Sequence, residues 1–323
     1  MVHAVWITMA LVCIVVAGVN VYASQRGIPD SVVKDVLPAL LLELGLYGAL
    51  VFTGARSRFR WPVSPAAIAA ILVVLSSVPW MLYGHSANGW LLLAIVIPAA
   101  FWYAVLPVTV ITDLAMFAYL GGVILMKGGL FRQIYPDAMP GLRVDFLGHL
   151  MWIRLGVSVM ILLRRMERID FGFLPSSRDL KIGFKWFAIG LPGAFVVGSS
   201  FGIMQLGTPK AAAWQLPILA VGAFIGFYCV VALSEEVFLR RMIFRWLNQV
   251  LGSESGALAV TTIISGAVHL GFRGPFNWKF ALLSAAVHYC FGRAYLESGS
   301  LRAGMVAHAL TATTWLTVFA KSA

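Results

Sequence analysis

Long apolar runs separated by short polar gaps organise the chain. They fall at about residues 4–23, 36–54, 65–84, 89–111, 113–126, 146–163, 183–205, 215–247, 256–272, 278–296 and 302–320. Most approach the ~20 residues that a helix needs to cross a bilayer. None alternates apolar and polar residues as a membrane barrel strand must. The pattern predicts an all-α fold, a polytopic transmembrane bundle of roughly eight to eleven spanning helices. The first run lacks a clear cleavage site and precedes more membrane-like sequence, so it reads as a span, not a removed signal peptide. The run at 113–126 is short and reads as half of a hairpin or as a continuation of its neighbour.

Composition agrees with this reading. Of 323 residues, 60% are hydrophobic and 11% charged, with a mean hydropathy of +0.89. A soluble domain carries about 25% charged residues, so a soluble enzyme and a disordered chain are both excluded. The net charge is +11, from 24 Lys+Arg against 13 Asp+Glu. The basic residues, such as Arg56, Arg58 and Arg60, sit mostly in the gaps. That distribution fits the positive-inside rule and contact with anionic lipid. It points to the lipid bilayer as a partner and to no nucleic acid. Cys13, Cys229 and Cys290 lie inside apolar runs and read as packing residues.

The gap at 164–185 is the most basic, with Arg164, Arg165, Arg168, Arg178, Lys181 and Lys185. It reads as a cytoplasmic loop and as the boundary between two parts, 1–163 and 164–323. Ser176 or Ser177 would cap the next helix, with Asp179 in its first turn.

The candidate chemistry lies in the second part. Glu235 and Glu236 stand side by side in a run otherwise built for lipid. One charge at mid-membrane costs about 2.5–3.5 kcal/mol on insertion scales. Glu236 and Arg240 are four residues apart and can pair on one helix face. Glu235 then points about 100° away, toward a cavity. The plainer alternative is an interfacial position with Arg240, Arg241 and Arg245 reaching for headgroups. Against it stand His269, His288 and His308, each within a later apolar run.

The ordered set Glu235-Glu236-x-x-x-Arg240, a helix ending at His269 and a helix carrying His308 resembles the CPBP family. These are the CAAX-processing and bacteriocin-processing (Abi) intramembrane glutamic proteases. The loop from Ile169 to Gly183 resembles the segment that opens the family core, and the resemblance covers about residues 165–320. The first part, 1–163, is a set of N-terminal transmembrane helices outside that core.

The resemblance implies hydrolysis of a peptide bond in a membrane-associated protein or peptide, without metal or other cofactor. In that scheme Glu235 activates a water that His269 helps to hold, and His308 donates to the oxyanion. Glu236 and Arg240 fix the helix and its charge balance. The substrate would be a C-terminal tail, a leader or a sorting segment, and the location a bacterial inner membrane crossed several times.

Two departures from the family pattern bear on this. Ser265 replaces a phenylalanine four residues before His269, and Ala312 replaces an asparagine or aspartate four residues after His308. Ala312 favours the alternative of a non-catalytic immunity or scaffold protein of the same fold. Zinc is a chemical rival, since Glu plus two His is an acceptable ligand set, but the chain has no His-Glu-x-x-His. A proton-coupled transporter would call for a repeat or a broken-helix pair, and neither is visible.

Arg273 and Asn277, in the polar loop after His269, read as an ordinary connection or as a substrate-binding rim. His288 reads as a structural histidine or as part of that substrate-binding set. Glu43, Asp113 and His149 read as interfacial residues or as helix-packing hydrogen bonds.

Overall fold

The computed structural model describes all residues except 1–11, 14, 21, 25–26, 56–62, 165–173, 207–215, 272–275 and 322–323. Arg56, Arg58, Arg60, Arg165, Arg168 and Arg273 therefore lie outside the described residues, as does the start of the first apolar run. Contacts divide the chain into two units, Met1–Glu167 and Arg168–Ala323.

The first unit contains α1 (Asp30–Ala55), α2 (Pro65–Leu82), α3 (Gly89–Val105), α4 (Val110–Leu125), α5 (Lys127–Ile134) and α6 (Phe146–Leu162). Helix α4 is separate from α3. Pro107 disfavours helical backbone at Leu106, and Thr109 restarts the helix through a capping box with Thr112. The apolar pattern did not predict α5, whose Lys127, Gly128, Gly129, Arg132 and Gln133 interrupt it.

Helix α6 is buried along nearly its whole length, against α1, α2 and α3. Arg154 in α6 donates from Nε and Nη2 to the Glu43 carboxylate at 2.7 and 2.9 Å, and both side chains are buried. Asp113 is held by Arg164 at 3.0 Å and by the Tyr103 hydroxyl. Glu43 and Asp113 are thus packed inside this half as ion pairs. His149 lies with its ring 4.8 Å from that of Phe131.

The second unit opens on α7 (Ser177–Ser200). Ser176 and Asp179 form its capping box. After a short strand β1 (Met204–Leu206) comes one continuous rod, α8. It begins as Leu216–Gly226, passes through π turns at Phe227–Ala232 and Val237–Phe244 around Leu233–Glu236, and ends as Arg245–Leu251. Then come α9 (Glu254–Val268), α10 (Trp278–Ser298), α11 (Leu301–Val318) and β2 (Phe319–Lys321). β1 and β2 pair antiparallel, Met204 opposite Lys321. Three residues per strand are too few to leave a mark on the hydropathy pattern.

Three helices of the described residues are long and apolar enough to cross a membrane: α2, α7 and Leu219–Leu251 of α8. Helices α3, α4, α6 and α9 are apolar but shorter. At 1.5 Å rise per residue they fall below the ~30 Å hydrocarbon thickness.

Small residues let the second unit close around its centre. Helix α10 packs on α7, α9 and α11, and α11 also packs on α7. A Cβ at Gly266 of α9 would come within 2.8 Å of the Ala281 carbonyl oxygen of α10. A Cβ at Gly304 of α11 would come within 3.1 Å of Glu236 Oε2 and 3.2 Å of the Phe291 carbonyl oxygen. Glycine at these points brings backbones close enough for their side chains to converge.

Candidate active site

The two glutamates occupy the short α-helical stretch between the π turns of α8. Such turns add a residue to the helix and recur at functional sites. Glu236 is fully buried and accepts from Arg240 Nε at 3.1 Å, and Arg240 is also fully buried. Arg240 Nη2 reaches across to α10 and donates to the His288 carbonyl at 2.6 Å. Glu236 and Arg240 thus form a buried pair that ties α8 to α10, with Arg240 Nη1 left buried without a hydrogen bond. Glu235 turns elsewhere, with its side chain 29% exposed.

Three histidines surround this pair. His308 of α11 is stacked on Phe291, 4.7 Å between centroids and 13° between planes. Its Nδ1 lies 3.3 Å from Glu236 Oε1. A carboxylate paired with Arg240 can only accept, so His308 Nδ1 donates. Its Nε2 therefore points the other way, 3.9 Å from Glu235 Oε2.

His288 of α10 follows the same logic. Its Nδ1 donates to the Ser284 carbonyl at 2.9 Å, one turn back. Its Nε2 is buried, has no hydrogen-bond partner and faces Glu235 Oε2 at 3.4 Å. One atom each from Glu235, His288 and His308 lie within 4.8 Å of one another.

His269 caps α9 and donates from Nδ1 to the Ser265 carbonyl at 2.7 Å. Its ring is 5.5 Å from that of His288. Ser284 Oγ lies between the two, 3.0 Å from His269 Nδ1 and 3.3 Å from His288 Nδ1. His269 thus stands in the cluster beside Ser284 and His288.

Of the residues singled out from sequence, the fold brings Glu235, Glu236, Arg240 and His308 together directly. His288 is with them in the buried cluster, not on a rim. Asn277 is the N-cap of α10, accepting from the Phe280 amide at 3.1 Å. Sequence reasoning gave Ser284 no role. Its position four residues before His288 and its hydroxyl were the only signal available.

The two departures from the family pattern also find physical counterparts. An aromatic neighbour for His269 comes from Phe280 of α10, with ring centroids 5.8 Å apart. His308 needs no partner at position 312 to orient it, because Glu236 does so. Thr311 turns back to the Ala307 carbonyl at 2.8 Å.

Residues 216–314 match the family model described as Type II CAAX prenyl endopeptidase Rce1-like. This stretch contains the polar residues of the cluster, and over it the chain is similar to that family. No curated protein and no solved structure matches the chain.

Proposed function

We propose that the protein is an intramembrane endopeptidase that hydrolyses a peptide bond near the membrane-held end of its substrate. The family match supports a substrate of the CAAX prenyl type, a lipid-modified C-terminal tail. The observation that carries the mechanism is the convergence of Glu235, His288 and His308 beside the buried Glu236–Arg240 pair.

In this reading Glu235 is the general base. It is the partly exposed carboxylate of the pair, and its Oε2 faces two imidazole nitrogens at 3.4 and 3.9 Å. A water between these atoms lies within one hydrogen bond of the base, as proton abstraction needs. Two carboxylates against one guanidinium leave one negative charge. A proton on His308 balances it and gives an Nε2–H aimed at the reaction centre. That N–H would stabilise the oxyanion of the tetrahedral intermediate. His288 orients the water, and His269 with Ser284 positions His288. Glu236 and Arg240 hold the frame, and a bacterial inner membrane is the proposed location.

Cleavage of a prenylated C-terminal peptide by the full-length protein in lipid nanodiscs tests this. Activity should vanish in Glu235→Gln and persist with a metal chelator. Equal cleavage by wild type and Glu235→Gln would overturn it. Absence of cleavage across prenylated, leader and sorting peptides would favour the immunity or scaffold alternative.

A further inference from the structure

The outer face of α7 changes character along its length. Its first turns expose Arg178, Lys181 and Lys185, at spacings of three and four residues on one side of the helix. Further along, the same side exposes Ile189 (52%) and Val196 (62%). Cations followed by apolar residues on one helix face mark the level where headgroups give way to hydrocarbon. Trp186 lies at that level, as interfacial tryptophans do. Its Nε1 donates to Glu297 of α10 at 2.8 Å, and Arg293 of α10 lies over its ring, 5.3 Å from the centroid.

The nearby acids do not neutralise the outermost cations. Asp179 is buried and holds Arg302 at 3.2 Å. Glu297 is taken by Lys185 Nζ, 2.9 Å from both of its oxygens, and by Trp186. Arg178 and Lys181 are exposed, and neither has an ion pair or side-chain hydrogen bond among the described residues.

From this arrangement we infer that the outer face of α7 is a binding site for an anionic phospholipid. Arg178 and Lys181, one turn apart, clasp the phosphate, and the acyl chains lie along Ile189 and Val196. The phosphate supplies the counter-charge that these two cations lack. The apolar residues that continue the same face fit a lipid and not a free phosphate. On its inner face α7 rests on α11, where a Cβ at Gly183 would come within 2.8 Å of the Ala303 carbonyl oxygen. A lipid held outside therefore braces α7 against the helix that carries His308. The inference does not rest on the peptidase reading, because lipid retention can be measured on a protein that cleaves nothing.

The test takes full-length protein, stripped of lipid in neutral detergent, and titrates it with phosphatidylglycerol or with phosphatidylcholine of the same acyl chains. Native mass spectrometry reads the lipid retained, and thermal unfolding reads the stabilisation. Phosphatidylglycerol should be retained saturably and raise the melting temperature, and phosphatidylcholine should do neither. Arg178→Gln and Lys181→Gln should each weaken retention about fivefold, and the double variant about thirtyfold. Both residues are exposed, so the variants should melt like the wild type in phosphatidylcholine. Lys34→Gln, which removes an exposed cation of the first unit, should leave retention unchanged. Equal retention of the two lipids, wild-type retention by the double variant, or an equal effect of Lys34→Gln would overturn the site. Inorganic phosphate binding as tightly as the lipid would also overturn it, because the apolar face would then contribute nothing.

Discussion

Glu236 holds His308, with Oε1 and Nδ1 3.3 Å apart, while its other oxygen accepts from Arg240 at 3.1 Å. The second glutamate of the pair is thus spent inside the protein, and the first is left to face the cavity. This division of labour leads to contrasting effects of the two conservative substitutions.

Glu236→Gln leaves Arg240 buried without its counter-charge. Breaking a buried ion pair from one side costs about 3–5 kcal/mol. The variant should melt far below wild type in detergent, whereas Glu235→Gln should melt close to it. Thermal unfolding of both checks this, and a larger loss for Glu235→Gln would contradict the assignment.

Glu235→Gln should reduce hydrolysis by roughly a hundred- to ten-thousand-fold, the usual worth of a general base. His288→Ala should reduce it more than His269→Ala does, since His288 Nε2 stands 3.4 Å from Glu235 Oε2. Single-turnover rates on one peptide give the comparison. A greater loss in His269→Ala would reverse the roles given to the two rings.

Gly304→Ala introduces a methyl group 3.1 Å from Glu236 Oε2 and 3.2 Å from a backbone carbonyl. Overpacking of this kind costs about 1–3 kcal/mol. Displacing Glu236 also disturbs His308, so activity should fall along with the melting temperature. An alanine variant with wild-type values for both would show that α11 can shift without cost.

In the first unit, Arg154→Met alone should destabilise by about 3–5 kcal/mol, because Glu43 is fully buried. Glu43→Leu combined with Arg154→Met should recover most of that loss, as replacing a whole buried ion pair with apolar residues often does. A double-mutant cycle in thermal stability measures it. Additive losses would mean that the two residues act independently.

Much of this protein follows from short-range rules that can be read along one dimension. Apolar runs place most of the helices, since a chain in lipid must satisfy its own backbone hydrogen bonds. The Ser176–Asp179 cap and the Glu236–Arg240 pair follow from spacings of three and four residues on a helix. The charges at 235, 236 and 240 stand out because lipid penalises them. None of these rules reaches between helices. That His288 and His308 both face Glu235 depends on the register of α10 and α11 against α8. An arginine bond to a carbonyl 48 residues away ties α10 to α8, while Gly266 lets α9 approach α10 and Gly304 lets α11 approach both α8 and α10. The π turns around the glutamates and the pairing of Arg154 with Glu43, 111 residues apart, belong to the same class. They arise from side-chain packing among several helices at once, and only the tertiary structure decides them.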